Sequence, residues 1–94
     1  MSQIHSKTKT SYYRRLYVAY LIDSGINTVP AIIEATGMPR RTAQDTITAL
    51  SELDIRCVSL NTEKDGKYAI SGWGAIKKEW IKVNLQHVKD VLNY

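Results

Sequence analysis

A mostly helical α+β fold is what this sequence predicts: three helices, a two-stranded hairpin, then one long helix. Three observations predict it. Apolar residues recur at helical spacing over three stretches between residues 11 and 53. IRCVSL and KYAI, either side of the turn formers NTEKDG, read as two short strands and a turn. Helical spacing then resumes after residue 72 and runs to the end.

Composition bounds the rest. The chain has 94 residues, one domain's worth with room for a single modest core. A hydrophobic content of 44% argues against wholesale disorder. Thirteen basic against nine acidic residues leave a net charge of +4, compatible with a polyanionic partner without requiring one. No run approaches the roughly eighteen apolar residues of a membrane span, so no membrane partner is expected. Met1-Ser-Gln-Ile lacks a signal-peptide core, and the expected location is the cytoplasm. Cys57 stands alone, which removes an intrachain disulfide and a multi-cysteine metal site.

Residues 1–10 read as a polar, flexible arm. Lys7, Lys9, Arg14 and Arg15 precede any acidic residue, so the amino end is locally positive, suited to a phosphate backbone or to a solvated tail. The first helix is expected from Ser11, with Tyr13, Leu16, Tyr17, Tyr20 and Leu21 as its apolar stripe and Val18 and Ile22 widening it. Gly25 ends it. Thr28 is the natural N-cap for a second helix from Val29 to Ala35, with Pro30 tolerated in the first turn. Val29, Ile32 and Ile33 are expected to pack on the first helix.

The stretch TGMPRRTAQDTITALSEL, residues 36–53, organises the whole reading. Gly37 can take the positive φ that closes the second helix, and Pro39 suits the first turn of a third helix spanning about 39–53. Ala43, Ile47, Leu50 and Leu53 form its core stripe. Arg40, Arg41, Gln44, Asp45 and Thr48 fall on the other side. Helix, tight turn and helix with a polar outer face is the grammar of a helix-turn-helix, whose second helix reads base edges in the major groove.

The strands follow. Ile55, Cys57 and Ser59 should face one way and Arg56, Val58 and Leu60 the other, with Asp65-Gly66 as the hairpin signal. Cys57 reads as a small buried hydrophobe. Ser71-Gly72 then opens a helix running from Trp73 towards Tyr94 that carries two stripes. Trp73, Ile76, Trp80 and Val83 are expected to pack on the domain. Ile81, Leu85, Val88 and Leu92, spaced 4-3-4, are expected to form a homodimer seam, helped by Tyr12 or Tyr13. The alternative is that this helix folds back and buries the second stripe within its own subunit.

TGMPRRTAQDTITALSELDI resembles the recognition region of bacterial winged helix-turn-helix regulators, in which a TG-hydrophobe-Pro turn precedes a basic helix ending in Leu-x-x-Leu. More narrowly, NTVPAIIEATGMPRRTAQDTI with the later GWGAI-x-x-x-WI resembles a small bacterial family of winged-helix DNA-binding proteins, over roughly Asn27 to Ile81. The resemblance implies a winged helix-turn-helix over 11–71, with a two-stranded wing; the added long helix over 72–94 is the one whose second stripe is expected to serve dimerisation. It also implies that Arg40, Arg41, Thr42, Gln44 and Thr48 contact DNA. Their chemistry agrees, since Arg pairs with guanine O6 and N7, Gln with adenine N6 and N7, and Thr meets a phosphate or a thymine methyl. Asp45 repels phosphate but can orient Arg41 or accept from cytosine N4. Lys64 and Lys67 are the wing's phosphate contacts, diluted by Glu63 and Asp65.

Catalysis is not expected. His5 lies in the arm and His87 in the last helix, with no nucleophile or carboxylate constellation, no phosphate-binding glycine loop and no H-E-x-x-H. His87 reads as an exposed helix residue or part of the dimer face. The expected function is sequence-specific double-stranded DNA binding as a dimeric transcriptional regulator, with no cofactor and no metal; no effector ligand is specified. The competing reading is a winged-helix module that binds protein and touches no DNA, favoured by the modest charge and the acidic wing.

Overall fold

The computed structural model describes residues 5–60 and 66–94. Its elements are α1 (Lys7–Asp23), α2 (Val29–Thr36), α3 (Arg40–Ala49), a 3-10 turn (Leu50–Leu53), β1 (Arg56–Ser59), β2 (Tyr68–Gly72), α4 (Lys78–Val83) and α5 (Leu85–Leu92). β1 and β2 pair antiparallel, with a register shift between Arg56 and Cys57. Among the described residues no helix is long and apolar enough to cross a membrane.

α1 is the hub, touching α3, β2, α4 and α5. Its run Leu16–Ala19, with Leu21 and Ile22, is buried on every side, because other elements cover both of its faces. One cluster joins Val18, Ala19 and Ile22 to Val29, Ile32, Met38, Ala43, Leu50 and Ile55. A second joins Tyr17 and Leu21 to Val88, with Leu85 and Leu92 packed against it. The helix starts at Lys7, not Ser11, because Ser6 Oγ accepts from the Lys9 N–H at 3.0 Å and caps it. The basic residues from Lys7 onward therefore sit on a helix and not in an arm.

The α2–α3 turn follows the sequence closely. Thr28 Oγ1 caps α2 through the Ala31 N–H at 3.1 Å, and Gly37, at φ 79°, closes it. Thr36 Oγ1 donates to the Ile32 carbonyl at 2.8 Å and accepts from the Met38 N–H at 3.1 Å, turning buried Met38 into the core. Pro39 stands just ahead of α3, as its N-cap. The hairpin is anchored by Asn27: its side-chain amide donates to the Tyr68 carbonyl and its carbonyl accepts from the Tyr68 N–H, both at 3.0 Å.

The C-terminal segment differs from the expectation in two ways. It is not one helix. Trp73 to Lys77 form a loop, and Gly74 (φ 59°) lies so close to Asp54 that a Cβ there would sit 2.9 Å from the Asp54 carbonyl oxygen. Helix begins only at Lys78, which pairs with Asp23 of α1. It breaks again at Asn84, whose side chain donates to the Trp80 carbonyl at 2.9 Å and whose φ and ψ of −104° and 25° leave the helical region.

The two stripes are also partly exchanged: Trp73 and Ile76 pack against the core as expected, but Trp80 and Val83 do not. Ile81 and Val88, expected at a dimer seam, are 0% exposed and covered by their own chain, while Leu85 and Leu92 are half-buried against α1. Ile81 and Val88 are therefore corrected from dimer contacts to core residues; the helix folds back on α1. Trp80 and Val83, expected inside, are 43% and 79% exposed. The segment turns Ile81, Val88 and Val91 inward, and the indole of Trp80 is left at the surface beside Tyr13. Tyr13 stands edge-on to Trp80 and His87, with ring centres 6.2 and 5.7 Å away, so it covers a neighbour in its own chain.

Candidate nucleic-acid interface

α3 presents three strips, because successive residues turn by about 100° around a helix. Ala43, Thr46 and Leu50 are buried, with Ile47 half-buried beside them. Directly opposite lie Arg41 and Thr48, flanked by Gln44 and Asp45, and all four are exposed. Arg40 and Thr42 occupy the two flanks.

The outer strip keeps its polar groups available. Arg41 and Asp45 approach at 3.9 Å, but their side chains are 91% and 75% exposed, so this pair is loose and solvated. It leaves the guanidinium free to reorient towards a base edge, with Asp45 one turn away to steer it. The Thr48 hydroxyl donates to the Gln44 carbonyl at 3.0 Å. That commits its proton to the backbone and offers a partner its methyl and lone pairs. Thr46, which the sequence reading left out, is buried with its hydroxyl on the Thr42 carbonyl at 2.7 Å. It turns a polar residue into a core residue by internal hydrogen bonding.

Exposed Arg40 faces the wing. It shares an open cleft of about 490 Å³ with Thr28, Val29, Pro30, Gly66, Lys67 and Tyr68. Two of the expected cationic contacts, Arg40 and Lys67, are thereby brought together beside the start of α2. Lys64 lies outside the described residues, as do Glu63 and Asp65. On the other flank, half-buried Thr42 faces α1 across a cleft of about 350 Å³ with Asp45, Thr46, Ala49, Ser11, Arg14 and Arg15. The structure thus separates Thr42 from the outer strip and adds α1 residues to the surface. The signal for them was the run of basic residues before any acid. It lacked only the knowledge that α1 runs alongside α3.

Elsewhere the chemistry is quiet. Cys57 is half-buried, and burial pushes its thiol above the usual range, which keeps it protonated and unreactive. Among the described residues no three His, Cys, Asp or Glu side chains gather as a metal site would require. His87 is exposed on α5.

The sequence profile described as winged helix-turn-helix matches residues 7–92. It therefore takes in α4 and α5 as well as the helix-turn-helix and wing. Among solved structures, a DUF2131 family protein from Shewanella amazonensis SB2B superposes with a TM-score of 0.88 at 32% identity, over 95% of this chain and 89% of the other. Among curated proteins none matches at a significant level.

Proposed function

Because the chain belongs to the winged helix-turn-helix family, we propose that it binds double-stranded DNA sequence-specifically, as a dimeric transcriptional regulator in the cytoplasm. The observation that carries this reading is the outer strip of α3. Arg41, Gln44, Asp45 and Thr48 stand exposed on one face of a helix whose opposite face is core. An α-helix of that width fits the major groove, and Arg and Gln are the side chains that pair bidentately with guanine and adenine there. Arg40 and Lys67 beside the wing supply phosphate contacts on one flank.

The dimer is part of the proposal on geometric grounds. One α3 spans a few base pairs, and two-fold pairing doubles the contacts and fixes half-sites about one helical turn apart. With Ile81 and Val88 inside, the apolar surface open to a second copy includes Tyr12, Trp80 and Val83. Sedimentation of the free protein reads the state directly. The same exposed Trp80 and Val83 favour the second reading, a protein-binding module that touches no DNA.

Affinity for random-sequence duplex DNA, measured at several salt concentrations, tests the proposal. The expected slope corresponds to roughly three to six phosphate contacts per subunit. Absence of duplex binding at low salt would transfer the case to the protein-binding module.

A further inference from the structure

We propose that the cleft between α1 and α3, on the side of α3 away from the wing, seats a phosphate of the DNA backbone on Arg14, with Ser11 and Thr42 beside it. This rests on the DNA-binding reading and extends it to an element outside the helix-turn-helix. A helix about 10–12 Å across, laid in a groove about 12 Å wide, has a phosphate wall on each side. Arg40 and Lys67 serve one wall. Without α1, that side of the cleft would offer the other wall Thr42, Asp45, Thr46 and Ala49, with no cation among them.

The cleft's charges are not equivalent. Arg15 is committed: it pairs with Glu52 at 3.6 Å, and its side chain is only 26% exposed. Arg14, half-buried one residue earlier, has no ion-pair partner among the described residues. The Thr46 hydroxyl is used internally, on the Thr42 carbonyl. The Ser11 and Thr42 hydroxyls make no hydrogen bond among the described residues, so two donors flank the free guanidinium. Lys7, on the same stripe of α1 as Ser11 and Arg14, continues the positive surface along the helix, and α1 carries no acid before Asp23. Asp45 is the opposing group at the cleft. Its nearest cation is Arg41, 3.9 Å away, which offsets part of its repulsion of a phosphate.

A backbone seat makes a specific demand: it should strengthen binding to every sequence alike and add about one unit to the salt slope. Wild type, Arg14→Ala, Arg14→Lys and Arg15→Ala would be titrated against the same random-sequence duplexes over a range of salt, with the bound duplexes sequenced to read base preference and thermal melting to check the fold. Arg14→Ala should lose about tenfold in affinity, lower the slope by about one, and leave base preference unaltered. Arg14→Lys should restore most of the slope, and Arg15→Ala should leave it unchanged. If wild type binds DNA and Arg14→Ala binds with the same affinity and slope, this inference is overturned and the function proposal stands. An Arg14→Ala effect confined to one base position would overturn it too, since that is base reading. If wild type itself fails to bind duplex DNA, both fall together.

Discussion

α3 and the α4–α5 segment are built on the same rule and end with opposite surfaces. Each turns an apolar face inward, α3 and the 3-10 turn that continues it with Ala43 and Leu50, α4–α5 with Ile81, Val88 and Val91. On α3 the outward face is Arg41, Gln44, Asp45 and Thr48, polar groups that lose nothing by standing in water. On α4 it is Trp80 and Val83, apolar groups that do. For α3 the sequence pattern has one apolar face and one solution. For α4–α5 it has two apolar faces, and only one can be covered by α1. The lesson is that an amphipathic pattern tells where a helix packs only when the polar face is present to exclude the alternative.

The largest effect that tests this contrast is expected from one charge placed on either side of the C-terminal segment. Val88→Asp would bury a carboxylate against Tyr17 and Leu21 with no partner, and should cost more than about 3 kcal/mol of stability or prevent folding. Val83→Asp, at a position 79% exposed, should stay within about 0.5 kcal/mol of wild type. Urea unfolding of the two variants checks it. Equal costs would mean that the assignment of inner and outer faces is wrong.

A smaller effect is expected at the glycines that position the two regions. Gly74→Ala combines a positive φ with a Cβ placed 2.9 Å from the Asp54 carbonyl oxygen, and should cost about 2–3 kcal/mol. Gly37→Ala meets a positive φ but open space, and should cost about 1 kcal/mol. Melting curves that rank the pair in reverse would contradict the close approach of the Gly74 loop to the end of the 3-10 turn.

The same contrast explains what was legible in the sequence. Thr28, Gly37 and the polar outer face of α3 act locally, through caps, φ preference and helical phase, and all three read true. Asp65-Gly66 lies partly outside the described residues, but the two strands it joins stand close to where alternation put them. What was misread depends on packing between distant elements. Ile81 and Val88 belong to the core because α1 offers a second face at Tyr17 and Leu21, which spacing within the last helix does not report. The helix break at Asn84 lies in the φ and ψ of one residue, which an intact 4-3-4 stripe does not report. Arg14 was visible as charge, but its place beside Thr42 is a tertiary fact. Arg40, Arg41, Gln44 and Thr48 were legible as an exposed set; the division of the surface into a wing flank, an outer strip and an α1 flank was not.

On folding, the smallest effect of all is expected at the outer strip, and there the central claim is most exposed to test. The measurement is duplex affinity and thermal stability, side by side, for wild type and for the Arg40→Ala, Arg41→Ala double variant. Both arginines are exposed, and neither is in the core, so stability should move by no more than about 0.5 kcal/mol. Affinity should fall by about 1–3 kcal/mol, with sequence preference relaxed at one position, from the loss of base-reading Arg41, and Arg40, the phosphate contact on the wing flank, should add a loss that is alike for every sequence. A double variant that keeps its fold and binds duplex DNA as wild type does would contradict the assignment of α3 as the reading helix.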